Sequence, residues 1–321
     1  MMSLSVSQVR ATGRAGGFAC LVVFLAVPLP IAAQAKEADE PVLYTEGFVQ
    51  VVSPDGETVD RCKEAAGKVL AAWKFDLDLM KWSDPAKLKG PLTLSLISDQ
   101  RMRRERVGVR AVSKGTKLFI VKMGLIGDPS VDGTYAHELG HIQASRVLGT
   151  NRAQVPHYFF EGHGQILHQL YAECEGVDRH GFQQEEGKTI MALTWDEAES
   201  ILTDEQYSKV GTKEYRARQN NKMERMGLYF VEYLRVFKQI PDVVPMMARV
   251  FEAVGAGQTY EQAFQQTYGL PLEDVIAEIA KLFRKTHTHP EDRLTGTRFE
   301  VTGKPDTTPR PPPVEVEPQD E

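Results

Sequence analysis

Cysteine is scarce in this chain, with three in 321 residues. Cys20 lies in an apolar N-terminal run, which leaves Cys62 and Cys174 for the body of the protein. A disulfide-dense scaffold is therefore excluded. Two cysteines this far apart also cannot form a zinc-binding cysteine cluster. They form either one disulfide or two separate thiols. Excess positive charge is missing too: 38 Lys and Arg stand against 44 Asp and Glu, a formal charge of −6. That balance argues against general nucleic-acid binding. Beyond residue 35 no run is long and apolar enough to span a bilayer, and no internal repeat is visible. With 42% hydrophobic and 26% charged residues, the composition is that of an ordinary globular protein of one or two domains.

The N-terminus stands apart. Residues 1–35 carry Arg10 and Arg14 but no acid. An apolar run from Phe18 to Ala33 follows, then Ala33-Gln34-Ala35, a small-residue cleavage pattern. These features predict a signal peptide over 1–35 and an exported chain, periplasmic or extracellular. An uncleaved anchor is the alternative, but the run is short and broken by Pro28 and Pro30. Cys20 sits near the start of the run rather than after it, which speaks against lipidation. The expected body is 36–302, with a sheet-bearing part over 42–150 and a helical part over 151–290. The Pro-rich acidic tail 303–321 has a disordered composition.

Alternation over Gly47–Ser53 predicts a strand, and Ser53-Pro54-Asp55-Gly56 a turn. Val59, Cys62, Ala66, Val69, Trp73, Leu77 and Met80 recur at three- and four-residue steps, the stripe of a core-packed helix. Pro91–Ser98 and Thr116–Met123 read as strands. The five arginines of Arg101–Arg110 between them read as a solvated helix and loop rather than an anion site, because Glu105 interrupts them and no aromatic accompanies them. From Val131 the pattern is helical. One helix should start near Asp132 or Thr134 and end at Leu148 before Gly149, and another should run from Pro156 to about Cys174. Further helices are expected near Trp195–Leu202, Met223–Phe237, Asp242–Val254, Glu261–Thr267 and Leu272–Lys285. The fold class is α+β.

Chemistry concentrates in His137-Glu138-Leu139-Gly140-His141. On a helix, positions i and i+4 share a face, so His137 and His141 can share a metal ion. Zinc favours imidazole nitrogen, and catalytic zinc keeps one position open for water. Glu138 projects beside the pair, where its carboxylate can take a proton from metal-bound water. Such a five-residue pattern also arises by chance, so structural context must support it. That context is a preceding strand, helical periodicity around the pair, and a third candidate ligand, Glu161, on the next helix. His157, four residues before Glu161, is the competing third ligand. His163 lies roughly 200° around the helix from Glu161 and should point away from the metal, packed or solvated. His168, His180, His287 and His289 show no partner pattern.

Thr134–His141 (TYAHELGH) followed by Val155–Gly162 (VPHYFFEG) resembles the gluzincin metallopeptidases, the thermolysin-like clan with H-E-x-x-H and a later Glu. It is especially similar to the peptidase MA-like branch of exported proteins, in which Pro, an aromatic and Glu-Gly recur on the second helix. The specific match spans Thr134 to Gly164. A weaker likeness in element order extends over Leu43 to Lys285. The resemblance implies a zincin-like fold, with a small twisted N-terminal sheet, an active-site helix, a mostly helical C-terminal lobe and a cleft between lobes. It implies one Zn2+ held by His137, His141 and Glu161, with Glu138 as general base and proton shuttle and a peptide or protein as substrate. It also implies that Thr116–Met123 is the sheet edge beside the cleft, where an extended peptide could pair. A Tyr from a later helix would stabilise the oxyanion. Tyr215, Tyr229 and Tyr233 are candidates, and Tyr229 is preferred because Tyr233 falls on an apolar stripe.

This sequence departs from the pattern in two places. Some gluzincins carry an acid four residues after the ligand Glu, to hold a ligand His. Gln165 stands there, and an uncharged amide would hold it more weakly. The continuation His163-Gly164 replaces an apolar residue and Ala. The glycine-rich exopeptidase strand is not visible. Two alternatives to a peptidase therefore stay open: a zinc-stabilised binding or scaffold domain with little turnover, and a metal-dependent hydrolase of a non-peptide amide.

Overall fold

The structure is a computed structural model. It describes residues 42–105, 111–114, 118–122, 132–176, 200–203 and 213–288. The expected signal peptide, most of the expected 195–202 helix and the acidic tail lie outside them. No helix among the described residues is long and apolar enough to cross a membrane.

The chain opens with a hairpin, β1 (Val42–Glu46) and β2 (Val49–Val52), paired antiparallel. The hairpin turns at Gly47, whose φ of 55° suits glycine. β1 had no counterpart in the sequence pattern, since its residues are mostly exposed and show no clean alternation. The turn forms as expected, with the Gly56 amide donating to the Ser53 carbonyl at 3.3 Å. The helix α1 (Val59–Met80) follows, and the Thr58 side chain caps it by accepting from the Arg61 amide. Of the expected stripe, Cys62, Ala66, Val69, Trp73 and Met80 are buried, whereas Val59 at the first turn is exposed. One acid, Asp76, lies fully buried on this face, with neither carboxyl oxygen partnered among the described residues. Desolvation pushes its pKa well up.

β3 (Leu92–Ile97) pairs parallel to β2. After the short α2 (Asp99–Glu105) come β4 (Ala111–Lys114) and β5 (Leu118–Lys122), antiparallel to each other. β5 runs parallel to β3, which gives a five-stranded sheet in the order β1-β2-β3-β5-β4. This corrects one expectation. The strand within Thr116–Met123 is β5, and it is flanked on both sides; the sheet edge is β4. β4 is four residues long, too short for alternation to mark it after the arginine-rich stretch.

The remainder is helical: α3 (Asp132–Leu148), α4 (His157–Cys174), α5 (Lys213–Val236), α6 (Val243–Gly255), α7 (Tyr260–Tyr268) and α8 (Leu272–Thr288). Gly149, at φ 55°, follows the end of α3, and Pro156 occupies the N-cap position of α4. A capping box between Thr259 and Gln262 starts α7. α3 packs against α1 and α4, and α4 packs against α5. One continuous apolar cluster runs from β2 and β3 through α1 into α7 and α8. Phe159 anchors α4 in it, fully buried among the rings of Phe230, Phe251, Tyr260 and Phe264. The described fold is thus mixed α+β and mostly helical, with a small sheet. Cys62 and Cys174 are separate thiols, not a disulfide.

Candidate metal centre

Helical spacing on α3 brings His137 and His141 together. Their rings meet edge to face with centroids 4.5 Å apart, and the two Nε2 atoms are 3.0 Å apart. Glu161 reaches them from α4, its Oε2 3.2 Å from Nε2 of His141 and 3.6 Å from Nε2 of His137. All three side chains are buried. Zinc binds imidazole nitrogen and carboxylate oxygen at about 2.0–2.2 Å, so an ideal tetrahedron has edges of about 3.3–3.6 Å. The observed triangle of 3.0, 3.2 and 3.6 Å brackets that edge. The three donors can therefore close on one ion and leave a fourth position open, and together they form a cluster able to hold a metal.

The electrostatics agree with that geometry. Burial alone would depress His137, but Glu161, Glu138 and Glu224 outweigh it and raise it to about 9. His141 is lowered, by burial first and then by its charged neighbour His137. Burial works against the Glu161 anion, yet His141, His137 and His157 hold its pKa well below the usual carboxylate range. The surrounding carboxylates thus favour positive charge beside Glu161, at the place where a cation would balance it.

Close approach of α4 to α3 makes the triangle possible. A Cβ on Gly164 would lie 2.8 Å from Cε1 of His141 and 2.9 Å from Cε1 of His137, so only glycine admits both rings. The face of His141 is covered by Phe160, stacked at 4.4 Å and 6°. The Arg152 guanidinium sits 3.4 Å from the centre of the Phe160 ring. His157 is placed outside the trio: its Nε2 lies 3.4 Å from Oε1 of Glu161, the oxygen turned away from the imidazoles. His163 is packed rather than solvated, fully buried with its ring 6.3 Å from that of His141 and edge-on to Phe251. Burial keeps it neutral. His168 lies edge-on to His137 at 6.4 Å between centroids. His180 and His289 fall outside the described residues.

Glu138 is half-buried, and its Oε2 accepts from the Ser113 amide of β4 at 2.7 Å. The carboxylate beside the imidazole pair is thereby tied to the sheet edge. Gln165 departs from expectation. Its Nε2 donates to Oε2 of Glu224 at 3.0 Å, and its carbonyl oxygen has no partner among the described residues, so it does not accept from either imidazole of the trio. Glu224, on α5, was not singled out from the sequence. The available signal was an acid three residues before Gly227, where α5 crosses α4. Burial first, then Glu161 and Glu138, raise its pKa to about 7, against the opposing pull of His137 and Gln165. Tyr229 is buried on α5 in the apolar core, and burial pushes its hydroxyl well up, which keeps it protonated. Compared with known proteins, the chain matches no family model, and no curated protein is significantly similar to it.

Proposed function

We propose that this chain is an exported, zinc-dependent hydrolase of peptide bonds with a zincin-like fold. The carrying observation is the convergence of two imidazoles from α3 and one carboxylate from α4 on a triangle of tetrahedral size. Bound zinc would supply a water acidic enough to lose a proton near neutrality. The protein's own residues account for the rest. His137, His141 and Glu161 hold the ion. Glu138 takes the proton at its carboxylate and returns it to the departing amine. The Ser113 amide holds one oxygen of that carboxylate in place, and the other serves the transfer. Because this contact joins β4 to Glu138, the sheet edge borders the site, where an extended peptide could pair by main-chain hydrogen bonds. Tyr229 stays a candidate oxyanion donor on the strength of its protonated hydroxyl alone.

The test is Glu138→Gln. Zinc content should match wild type, while chelator-sensitive cleavage of a broad peptide mixture should fall by about 100-fold or more. Equal cleavage by the variant would remove Glu138 from its role. The position of Gln165, turned from the ligands, favours a second reading, a zinc-stabilised binding domain with little turnover. Full zinc loading with no hydrolysis across the same mixture would select it.

A further inference from the structure

We propose that Glu224 is the outer carboxylate of this metal centre, supplied from α5 in place of an acid one turn after Glu161. The inference rests on the metal-site reading and assigns a role to a residue outside the H-E-x-x-H and Glu-Gly segments. Two observations of geometry carry it. The first is the hydrogen bond from Gln165 Nε2 to Glu224 Oε2 at 3.0 Å. Gln165 lies one helical turn beyond Glu161 on α4, so the bond ties the ligand-bearing turn to α5.

The second is the helix crossing that presents Glu224. A Cβ on Gly162 would meet the Gly227 carbonyl oxygen at 2.5 Å, so α4 and α5 touch backbone to backbone. Gly162 adjoins Glu161, and Gly227 lies one turn after Glu224. A carboxylate at 224 is therefore fixed by the same contact that fixes the ligand. The crossing sets Glu224, one turn before Gly227, beside the turn of α4 that carries Glu161 and Gln165. Carboxylates brought together in this way repel one another when no cation lies between them. A divalent ion reverses that balance, because each nearby anion then contributes to holding it.

Outer groups that hydrogen-bond or charge-balance metal ligands change metal affinity by about 10–100-fold when removed. Glu224→Gln isolates the charge, since the introduced amide oxygen can still accept from Gln165. Zinc affinity should be measured by competition with a chromophoric chelator, and apo-protein melting by calorimetry. The expected result is about 10–100-fold weaker zinc binding, with an apo melting temperature no lower than wild type. A merely structural role would not produce that pair of results. The double variant Gln165→Glu/Glu224→Gln returns the charge to the same hydrogen-bonded pair and should recover part of the affinity. Zinc affinity of Glu224→Gln within about twofold of wild type would overturn the inference. So would weakened affinity together with a lower apo melting temperature and no recovery in the double variant. If wild type itself binds no zinc, the metal-site reading fails instead, and the two failures are told apart by that one control.

Discussion

Gly164→Ala tests whether the triangle depends on the close approach of α4 to α3. In a helix interior, Gly→Ala ordinarily adds about 0.5–1 kcal/mol of stability. Here the new methyl would sit 2.8 Å from His141 Cε1, 2.9 Å from His137 Cε1 and 3.0 Å from His137 Nδ1. Carbon contacts relax near about 3.5–4.0 Å, so the rings or the helix must give by about 0.7 Å or more. Neither ring can easily retreat, because Phe160 is stacked on His141 and His168 stands edge-on to His137. Overpacking of this kind costs about 1–3 kcal/mol, which offsets or exceeds the helix gain. The metal site is hit harder, since ligand distances tolerate only about 0.2 Å. Zinc affinity should fall at least tenfold while apo stability changes by less than about 2 kcal/mol. Gly67→Ala in α1 is the control, because a Cβ there meets nothing within 4 Å. It should gain about 0.5–1 kcal/mol and leave zinc binding unchanged. Chelator competition and calorimetry on the two variants decide the matter. Wild-type zinc affinity in Gly164→Ala would refute the close-approach argument.

Zinc titration should release protons. His137, raised to about 9 in the ion-free site, is protonated at pH 7 and must lose its proton to become a ligand. Calorimetry in two buffers of different ionisation enthalpy should show at least about one proton released, and zinc affinity should weaken as pH falls below about 9. Release of no proton would contradict the charge state assigned to the trio. Asp76 supplies a stability test. Its folded pKa is raised by burial, so above about pH 4 the unfolded chain binds fewer protons than the folded one, and stability falls as pH rises toward the folded value. Asp76→Asn removes that slope. Its melting temperature should gain on wild type as pH increases, and parallel pH profiles would show that Asp76 is not a buried acid. Phe160→Leu strips the stack from His141 and the seat of Arg152. It should weaken zinc binding severalfold and cost about 1–2 kcal/mol, and unchanged zinc affinity would show that the ring does not orient the ligand.

Local periodicity made much of the fold legible. The stripe of α1, the stop at Gly149 and the spacing of His137 and His141 follow from a 3.6-residue repeat, and each appears at its expected place. Glu161 could be paired with them because consecutive helices joined by a short connection pack side by side. Strand order was not legible. Nothing local says that a four-residue strand at Ala111–Lys114 folds back to flank β5, and that pairing moved the sheet edge from one strand to another. Glu224 was hidden for the same reason: 62 residues of chain lie between it and Glu161, and only tertiary packing unites them.

His163-Gly164, following Gly162, shows how a departure from an expected pattern changes meaning once packing is visible. In sequence it weakens the likeness, because an apolar residue and Ala are usual there, and the two glycines at 162 and 164 lower helix propensity by about 1 kcal/mol each. In space the two glycines serve opposite faces of α4. Gly162 admits the backbone of α5, and Gly164 admits the imidazoles of α3. His163, between them, fills the buried space beside Gly140 and Phe251, where a Cβ on Gly140 would come within 3.0 Å of its ring. An Ala at either glycine would push one neighbouring helix outward. The trio tolerates neither shift, because Glu161 lies one residue from the first glycine and the two imidazoles lie against the second. The motif therefore gives up helix propensity for a three-helix contact tight enough to set distances of 3.0–3.6 Å among three buried donors.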